Sequence, residues 1–205
     1  MEKVYFYPVW IRVWHTVNAL TCLLLIVTGM SMQYSSMEKP FIPFDEAVAW
    51  HNVAGIILTV NYLIFLIGNM IYKNGSHYKI SWKGFGKRVV EQFNYYLIGI
   101  FKNRKAPYPL SKERKFNPLQ QLTYTFIMYG FVPVLFVTGW ALLFPGIVVN
   151  DLFGNKGLFV NDLIHVIAGF IVSLFMIVHI YFCTIGHKVS SHFKAMATGY
   201  HEIEN

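Results

Sequence analysis

Four long apolar stretches constrain this chain more than any other feature. They run approximately from Val17 to Tyr34, Val48 to Tyr72, Leu122 to Phe144 and Leu163 to Ile185. Each is close to the roughly 20 residues that an α-helix needs to cross a bilayer, and a helix satisfies its backbone hydrogen bonds within one segment. The sequence therefore predicts an all-α membrane protein, a bundle of four transmembrane helices in a single domain spanning residues 1–205.

The composition agrees with this prediction. Hydrophobic residues make up 55% of the 205 residues and charged residues 13%, about half the charged share of a soluble domain. A soluble fold of this size could not bury so much apolar surface. A soluble enzyme and a disordered chain are therefore both excluded.

Lysine and arginine are distributed unevenly over the segments outside the four stretches. Of the 17, all but Lys39 and Lys156 lie in the N-terminal segment, the long middle loop and the C-terminal tail. The positive-inside rule places those basic segments in the cytoplasm. We therefore predict a multi-pass protein of a bacterial or archaeal inner membrane with both termini cytoplasmic. The asymmetry also accounts for the net charge of +7 without a nucleic-acid partner.

The middle loop contains a helical pattern between residues 81 and 101. Its apolar residues recur at helical spacing, and Lys83, Lys87 and Arg88 lie off that stripe. This pattern predicts an amphipathic helix on the cytoplasmic surface of the membrane, between helices two and three. A helix packed on a partner subunit is the alternative. The stripe consists of Trp82, Phe85, Val89, Phe93, Tyr96, Leu97 and Ile100.

Two short motifs occur twice. His51 and His165 each begin a His-x-x-Ala-Gly motif, 114 residues apart, and Val-Thr-Gly occurs at 27–29 and again 110 residues later at 137–139. The similar offsets indicate a duplicated two-helix unit. Chance matches in apolar sequence are the alternative.

Four of the eight histidines lie in or at the ends of the predicted spans: His15, His51, His165 and His179. Ionisable residues at membrane depth are costly and mark functional sites. His51 and His165 both begin spans on the outer side, whereas His15 lies at the cytoplasmic entrance of helix one. His179 follows His165 by 14 residues, which is about 21 Å along a helix and on nearly the same face.

This spacing predicts two facing pairs, His51 with His165 near the outer side and His15 with His179 near the inner side. Two axial imidazoles are what a low-spin b-type heme requires, so the sequence predicts two heme b groups with bis-histidine ligation. Each ring is expected to donate its other N–H to a nearby helix carbonyl or polar side chain, with Asn161 and Asp162 as candidate partners of His165.

Three further residues belong to this prediction. Gly55 and Gly169 follow His51 and His165 by four residues and would let a porphyrin approach the helix; ordinary small-residue packing is the alternative. Arg12 precedes His15 by one turn and would pair with a heme propionate, or serve only as a positive-inside anchor.

These features resemble a known family, the b-type cytochrome subunits of membrane-bound formate dehydrogenases, nickel–iron hydrogenases and thiosulfate reductases. The resemblance covers nearly the whole chain. It includes the segment Trp-Ile-Arg-Val-Trp-His-Thr-Val-Asn-Ala at 10–19, the histidine that begins helix two, and the 14-residue spacing of His165 and His179. It is greatest for the formate dehydrogenase and thiosulfate reductase branch, in which one helix supplies a ligand to each of two hemes.

The resemblance implies an electron-carrying subunit of a respiratory complex rather than a stand-alone enzyme. An iron–sulfur or multiheme subunit and a catalytic subunit would bind on the outer face, and a quinone, menaquinone or ubiquinone, would bind near the inner heme. In the family, residues just before helix three help to bind quinone, and Asn117 and Gln120 match that pattern. The formate dehydrogenase form has glycine where this chain has Leu119. A helix N-terminal cap is the alternative role of Asn117.

Two rival functions remain open at this stage. The first is a stand-alone transmembrane heme reductase with a cytoplasmic electron donor. The second is a heme-free transporter or anchor that uses the histidines as proton relays.

Overall fold

The computed structural model describes residues 2–36, 38–72, 74–109, 111, 114–152, 154–185 and 189–203. Within these ranges, four helical segments are long and apolar enough to cross a membrane. They are α1 (Val9–Tyr34), α2 (Phe44–Ile71), the segment Pro118–Leu143, and α6 (Gly157–Cys183). The predicted all-α membrane fold with four spans is confirmed.

The remaining elements are short. The third span contains α4 (Pro118–Phe126) and α5 (Val132–Leu143), joined by a π-helical turn over Ile127–Phe131. Outside the spans lie α3 (Phe85–Asn94), α7 (Ser191–Thr198) and four strands. These strands are β1 (Glu2–Tyr5), β2 (Asp151–Leu152), β3 (Asn155–Lys156) and β4 (Tyr200–Ile203).

The spans begin earlier than the apolar stretches predict. Helix α1 begins at Val9 rather than Val17, and α6 begins at Gly157 rather than Leu163. An apolar stretch marks only the part of a helix that lies in hydrocarbon, whereas the helix continues through the interface with aromatic and basic residues. His15 therefore lies in the second turn of α1 and not at its entrance.

The chain divides into two compact units. We call the first the histidine unit; it comprises Val9–Ile67 and Phe131–Phe182 and contains the four span histidines. We call the second the loop unit; it comprises Met1–Pro8, Gly68–Gly130 and Cys183–Asn205. One domain can contain two such units, so the single domain over 1–205 stays a prediction.

A reciprocal hydrogen-bonded pair joins α1 and α2 inside the histidine unit. The indole N–H of Trp14 donates to the Asn61 carbonyl at 3.0 Å, and Asn61 Nδ2 donates to the Trp14 carbonyl at 3.2 Å. The Trp14 ring also stacks on the fully buried Phe65 with a 4.5 Å centroid separation. Because lipid provides no hydrophobic drive between helices, such packing and hydrogen bonding hold the spans together.

The two ends of the chain pair in the loop unit. Strands β1 and β4 are antiparallel, with Glu2 opposite Ile203 and Tyr5 opposite Tyr200. Gly199 turns the chain into β4 with a φ of 87°, and a Cβ there would lie 2.6 Å from the Tyr5 ring, so the position requires glycine. The N-terminal and C-terminal segments therefore lie side by side.

The predicted amphipathic helix is present but begins four residues later, at Phe85, because Gly84 has a left-handed conformation with a φ of 66°. It continues beyond α3 through a π-helical turn and a 3₁₀ turn to Lys102. Phe85 and Gln92 are buried in the loop unit, whereas Phe93 and Phe101 point outward and are exposed. The helix thus has an inner face and a separate apolar outer face. Its location on the membrane surface stays a prediction.

Candidate heme site

The histidine unit brings the four span histidines together in the predicted pairs. The ring centroids of His51 and His165 are 6.2 Å apart with an interplanar angle of 70°, and those of His15 and His179 are 6.3 Å apart at 54°. All four side chains are partly buried. Each pair joins one histidine of the first two spans to one histidine of α6.

These separations fit a metal centre between the two rings of each pair. Two metal–imidazole bonds of about 2 Å, with about 1 Å more from each nitrogen to its ring centre, give centroids about 6 Å apart. A planar cofactor would then lie between the rings with its iron held from both sides. Among the described residues, no group of three or more His, Cys, Asp or Glu side chains is placed to hold a metal ion.

A threonine fixes the tautomer of His51. Thr28 Oγ1 lies 2.9 Å from His51 Nδ1 and donates its proton to the Leu24 carbonyl at 2.8 Å. A hydroxyl has one proton, so while that proton goes to the Leu24 carbonyl the oxygen accepts an N–H from Nδ1, in the tautomer of His51 that carries its proton there. His51 Nε2 then carries no proton and is available as a metal ligand.

The same arrangement recurs at His165. Thr138 Oγ1 lies 2.8 Å from His165 Nδ1 and donates to the Val134 carbonyl at 2.7 Å. Asn161, one of the two partners that the sequence predicts for His165, instead donates from Nδ2 to the Thr138 carbonyl at 3.0 Å. The prediction is wrong for Asn161, because its amide supports the threonine rather than the imidazole. For Asp162, the other predicted partner, the described residues show no hydrogen bond to His165.

Small residues surround the outer pair. A Cβ on Gly139 would lie 3.2 Å from His165 Cε1, and a Cβ on Gly29 would lie 3.5 Å from His51 Cε1. These two glycines let the rings approach the neighbouring helix. A Cβ on Gly55 would meet no atom within 4 Å, and one on Gly169 would meet only Leu135 Cδ2 at 3.9 Å. The predicted role of Gly55 and Gly169 beside a porphyrin stays a prediction.

Sequence reasoning missed four residues of this site: Thr28, Gly29, Thr138 and Gly139. Their signal was the repeated Val-Thr-Gly motif, which the sequence offers only as evidence of duplication. In the structure each motif supplies the histidine of its own helix pair with a hydrogen-bond partner and a close glycine.

The inner pair has a different environment. The ring of His179 stacks on Phe175 with a 5.7 Å centroid separation and an interplanar angle of 19°. His15 lies beside Trp14, at 6.4 Å between ring centroids. Arg12 is partly buried one turn before His15, on the same helix. Its role toward a propionate stays a prediction.

The residues predicted for quinone binding begin α4 in the loop unit. Asn117 Oδ1 accepts the backbone N–H of Gln120 at 2.9 Å, and Gln120 Oε1 accepts that of Asn117 at 3.1 Å, which forms a capping box. The cap is therefore confirmed. Asn117 Nδ2 also donates to the Tyr96 hydroxyl at 2.8 Å. Burial raises the pKa of Tyr96, although hydrogen bonds from Asn117 and Gln92 oppose the shift. The quinone role stays a prediction.

Four apolar spans with histidine rings paired between them fit the class of membrane proteins that bind a metal cofactor between helices. The chain belongs to the prokaryotic cytochrome b561 family, whose model matches residues 6–199. The resemblance to b-type cytochrome subunits is confirmed. The chain is thus a multi-pass bacterial membrane cytochrome that binds heme b and transfers electrons.

Two curated relatives match most of the chain. "Putative cytochrome YdhU" of Escherichia coli is 36% identical over 98% of this chain and 75% of its own length. "Probable Ni/Fe-hydrogenase B-type cytochrome subunit" of Rhodobacter capsulatus is 29% identical over 87% of this chain and 73% of its own length. No solved structure matches significantly.

Proposed function

We propose that the chain binds two hemes, one between His51 and His165 and the other between His15 and His179. The observation that carries this proposal is the nearly equal centroid separation of the two pairs, 6.2 and 6.3 Å. The threonine contacts at the outer pair support the two-heme proposal as well. Thr28 and Thr138 lie beside Nδ1 of their histidines, which leaves the lone pair of each Nε2 available for iron. A bis-imidazole heme supplies one-electron transfer between ferric and ferrous iron.

The chain's own residues hold and orient these groups. Neutral imidazoles donate Nδ1–H to threonine at the outer pair, so each ring keeps one orientation. The Trp14–Asn61 bonds fix the turn of α1 that carries His15. Exposed apolar side chains such as Val137 and Ile177 face lipid and keep water away from the spans.

The proposed electron path runs between a partner on the outer face and a quinone near the cytoplasmic face. The name of the Rhodobacter relative, a hydrogenase cytochrome subunit, supports a partner of this kind. That partner would be an iron–sulfur or multiheme subunit with its catalytic subunit. The acidic side chains of Asp45, Glu46 and Asp151 are exposed in the segments that the charge pattern places outside. They would contribute to binding the partner.

The quinone, menaquinone or ubiquinone, would bind at the start of α4. The capping box uses both amide oxygens of Asn117 and Gln120. It leaves Gln120 Nε2 and one N–H of Asn117 Nδ2 as donors for a quinone carbonyl. This proposal rests on the family pattern and on these available donors.

The test of the two-heme proposal is a heme count on purified protein. His51→Ala and His15→Ala should each lower the heme content from about two per chain to about one, since axial ligation dominates retention. The double variant should bind none, and His77→Ala, outside the spans, should keep both. A single variant that loses all heme while it remains stably inserted would contradict separate pairs.

Two further measurements separate the rival functions. A reduced-minus-oxidised visible spectrum without heme bands would favour the proton-relay transporter or anchor. Purification without any outer subunit, combined with reduction by a cytoplasmic donor, would favour the stand-alone reductase.

A further inference from the structure

The loop unit contains a polar cavity whose lining is strongly basic. Its volume is about 180 Å³, the space of about six water molecules at roughly 30 Å³ each. Arg88, Arg114 and Lys115 line it together with His77 and Gln121, and the described residues that line it include no aspartate or glutamate. Neither the proposed hemes nor the quinone use these side chains.

The two arginines are held in place by neutral acceptors. Arg88 donates to the carbonyls of Ser81 at 2.6 Å and Lys83 at 2.7 Å. Arg114 donates to the Pro109 carbonyl at 2.8 Å and lies over the Tyr108 ring at 5.5 Å. A carbonyl orients a guanidinium but leaves its charge uncompensated, and each guanidinium retains N–H donors.

One carboxylate close to the cavity, that of Glu91, is hydrogen-bonded to a tyrosine. Glu91 Oε2 accepts the hydroxyl proton of Tyr108 at 2.7 Å. Within the part of the chain that the structure describes, Arg88, Arg114 and Lys115 make no ion pair. Three positive charges around one cavity therefore repel one another until an anion enters.

Lys115 is the cation that depends most on such an anion. Its Nζ donates to Asn74 Oδ1 at 3.4 Å, which is a long contact for a charged donor. Burial lowers the pKa of Lys115, and burial together with the Lys115 charge lowers the pKa of His77. An anion in the cavity would stabilise the charged ammonium and remove this cost.

The position of the cavity indicates the source of the anion. Its lining includes Pro118, the first residue of the third candidate span, so the cavity adjoins the end of that span that the charge pattern assigns to the cytoplasmic side. Lipid phosphates occupy this level. Basic pockets beside transmembrane helices on the cytoplasmic side suit anionic headgroups, and arginine forks suit phosphate oxygens.

We propose that this cavity binds a phosphate group, and that in the membrane the phosphate belongs to the headgroup of an anionic phospholipid. Arg88 and Arg114 would contact its oxygens from two sides, with Lys115 as the third cation.

The chain offers a matched control for the test, because an Arg-Lys pair occurs twice in this loop. Arg114 and Lys115 line the cavity, whereas Arg104 and Lys105 are exposed and lie outside its lining. The variants Arg114→Gln/Lys115→Gln and Arg104→Gln/Lys105→Gln remove the same charge from neighbouring parts of one segment.

The experiment measures lipid retained by purified heme-loaded protein in neutral detergent, by native mass spectrometry after incubation with phosphatidylglycerol or phosphatidylcholine. Wild-type protein should prefer phosphatidylglycerol. The 114/115 variant should lose about tenfold in apparent affinity, because two charge-assisted hydrogen-bonding groups are removed. The 104/105 variant should remain near wild type. Lys115→Arg changes the side chain but keeps its charge, and it should retain lipid binding. This result would show that substitution at this position does not by itself unfold the cavity.

Inorganic phosphate distinguishes the two sources of the group. If millimolar phosphate displaces phosphatidylglycerol, the cavity recognises phosphate of either source. If it does not, and the 114/115 variant still loses lipid, the lipid is the ligand and its acyl chains contribute. Equal losses in the two double variants, or no preference for phosphatidylglycerol in wild type, would overturn the proposal.

Discussion

The hydroxyls of Thr28 and Thr138 determine which nitrogen of each outer histidine faces its partner. Thr28→Val keeps the size of the side chain but removes the hydroxyl that lies 2.9 Å from His51 Nδ1. Loss of such a partner lowers metal affinity about 10-fold to 100-fold. We therefore expect faster heme loss from the outer site, with the inner heme unchanged, in a transfer assay to apomyoglobin.

Thr21→Val is the control for this prediction. Thr21 is also buried on α1 and donates to a carbonyl one turn earlier, Val17, but among the described residues it makes no hydrogen bond to a histidine. It should leave both hemes in place. Equal heme loss in the two variants would mean that the hydroxyl acts through helix packing and not through the imidazole.

At this scale the sequence predicted the two histidine pairs and missed the threonines beside the outer pair. The four histidines follow from depth and helical spacing, both of which can be counted along the chain. The role of Thr28 depends on which helix faces α2, and a repeat offset does not contain that information. Asn161 lies near His165 in sequence, yet its amide bonds to the Thr138 carbonyl on another helix.

Among the elements, the start of α4 combines two roles in one side chain, and an aspartate substitution separates them. Asn117 caps the helix through Oδ1 and donates to Tyr96 through Nδ2. Asn117→Asp keeps a capping oxygen and removes the amide donor, whereas Asn117→Ala removes both. If quinone uses the amide, both variants should slow quinone turnover while the hemes stay.

The alanine variant should in addition lose about 1 kcal/mol of stability, as cap deletions typically do. The measurement compares turnover with a water-soluble quinone analogue against reduction of an artificial dye by the outer partner. Dye reduction should continue in both variants. Unchanged quinone kinetics in Asn117→Asp would exclude the amide from the quinone site and leave only the cap.

The element boundaries show where a hydropathy pattern stops being informative. The four spans were predictable because apolar length is a local property. Their first turns were not, because Trp10 and Arg12 belong to the helix but not to the apolar stretch. The amphipathic helix likewise begins where Gly84 has a positive φ, a conformation that the apolar spacing does not indicate.

For the whole molecule, the pairing of β1 with β4 limits the possible topologies. Glu2 lies opposite Ile203, so the two ends of the chain must lie on one side of the membrane. A chain that crosses the membrane four times also ends on the side where it began. The charge pattern then selects the side, because the basic middle loop and both ends carry 15 of the 17 lysines and arginines.

Reporter fusions test this orientation directly. Green fluorescent protein fused after Asn205 should fluoresce, and alkaline phosphatase at the same place should be inactive, because each enzyme or fluorophore matures on only one side of the inner membrane. Alkaline phosphatase fused after Gly154, beyond the third span, should be active. This outer fusion also controls for expression. An active phosphatase at the C-terminus would invert the orientation and would place His15 and His179, rather than His51 and His165, nearer the outer partner.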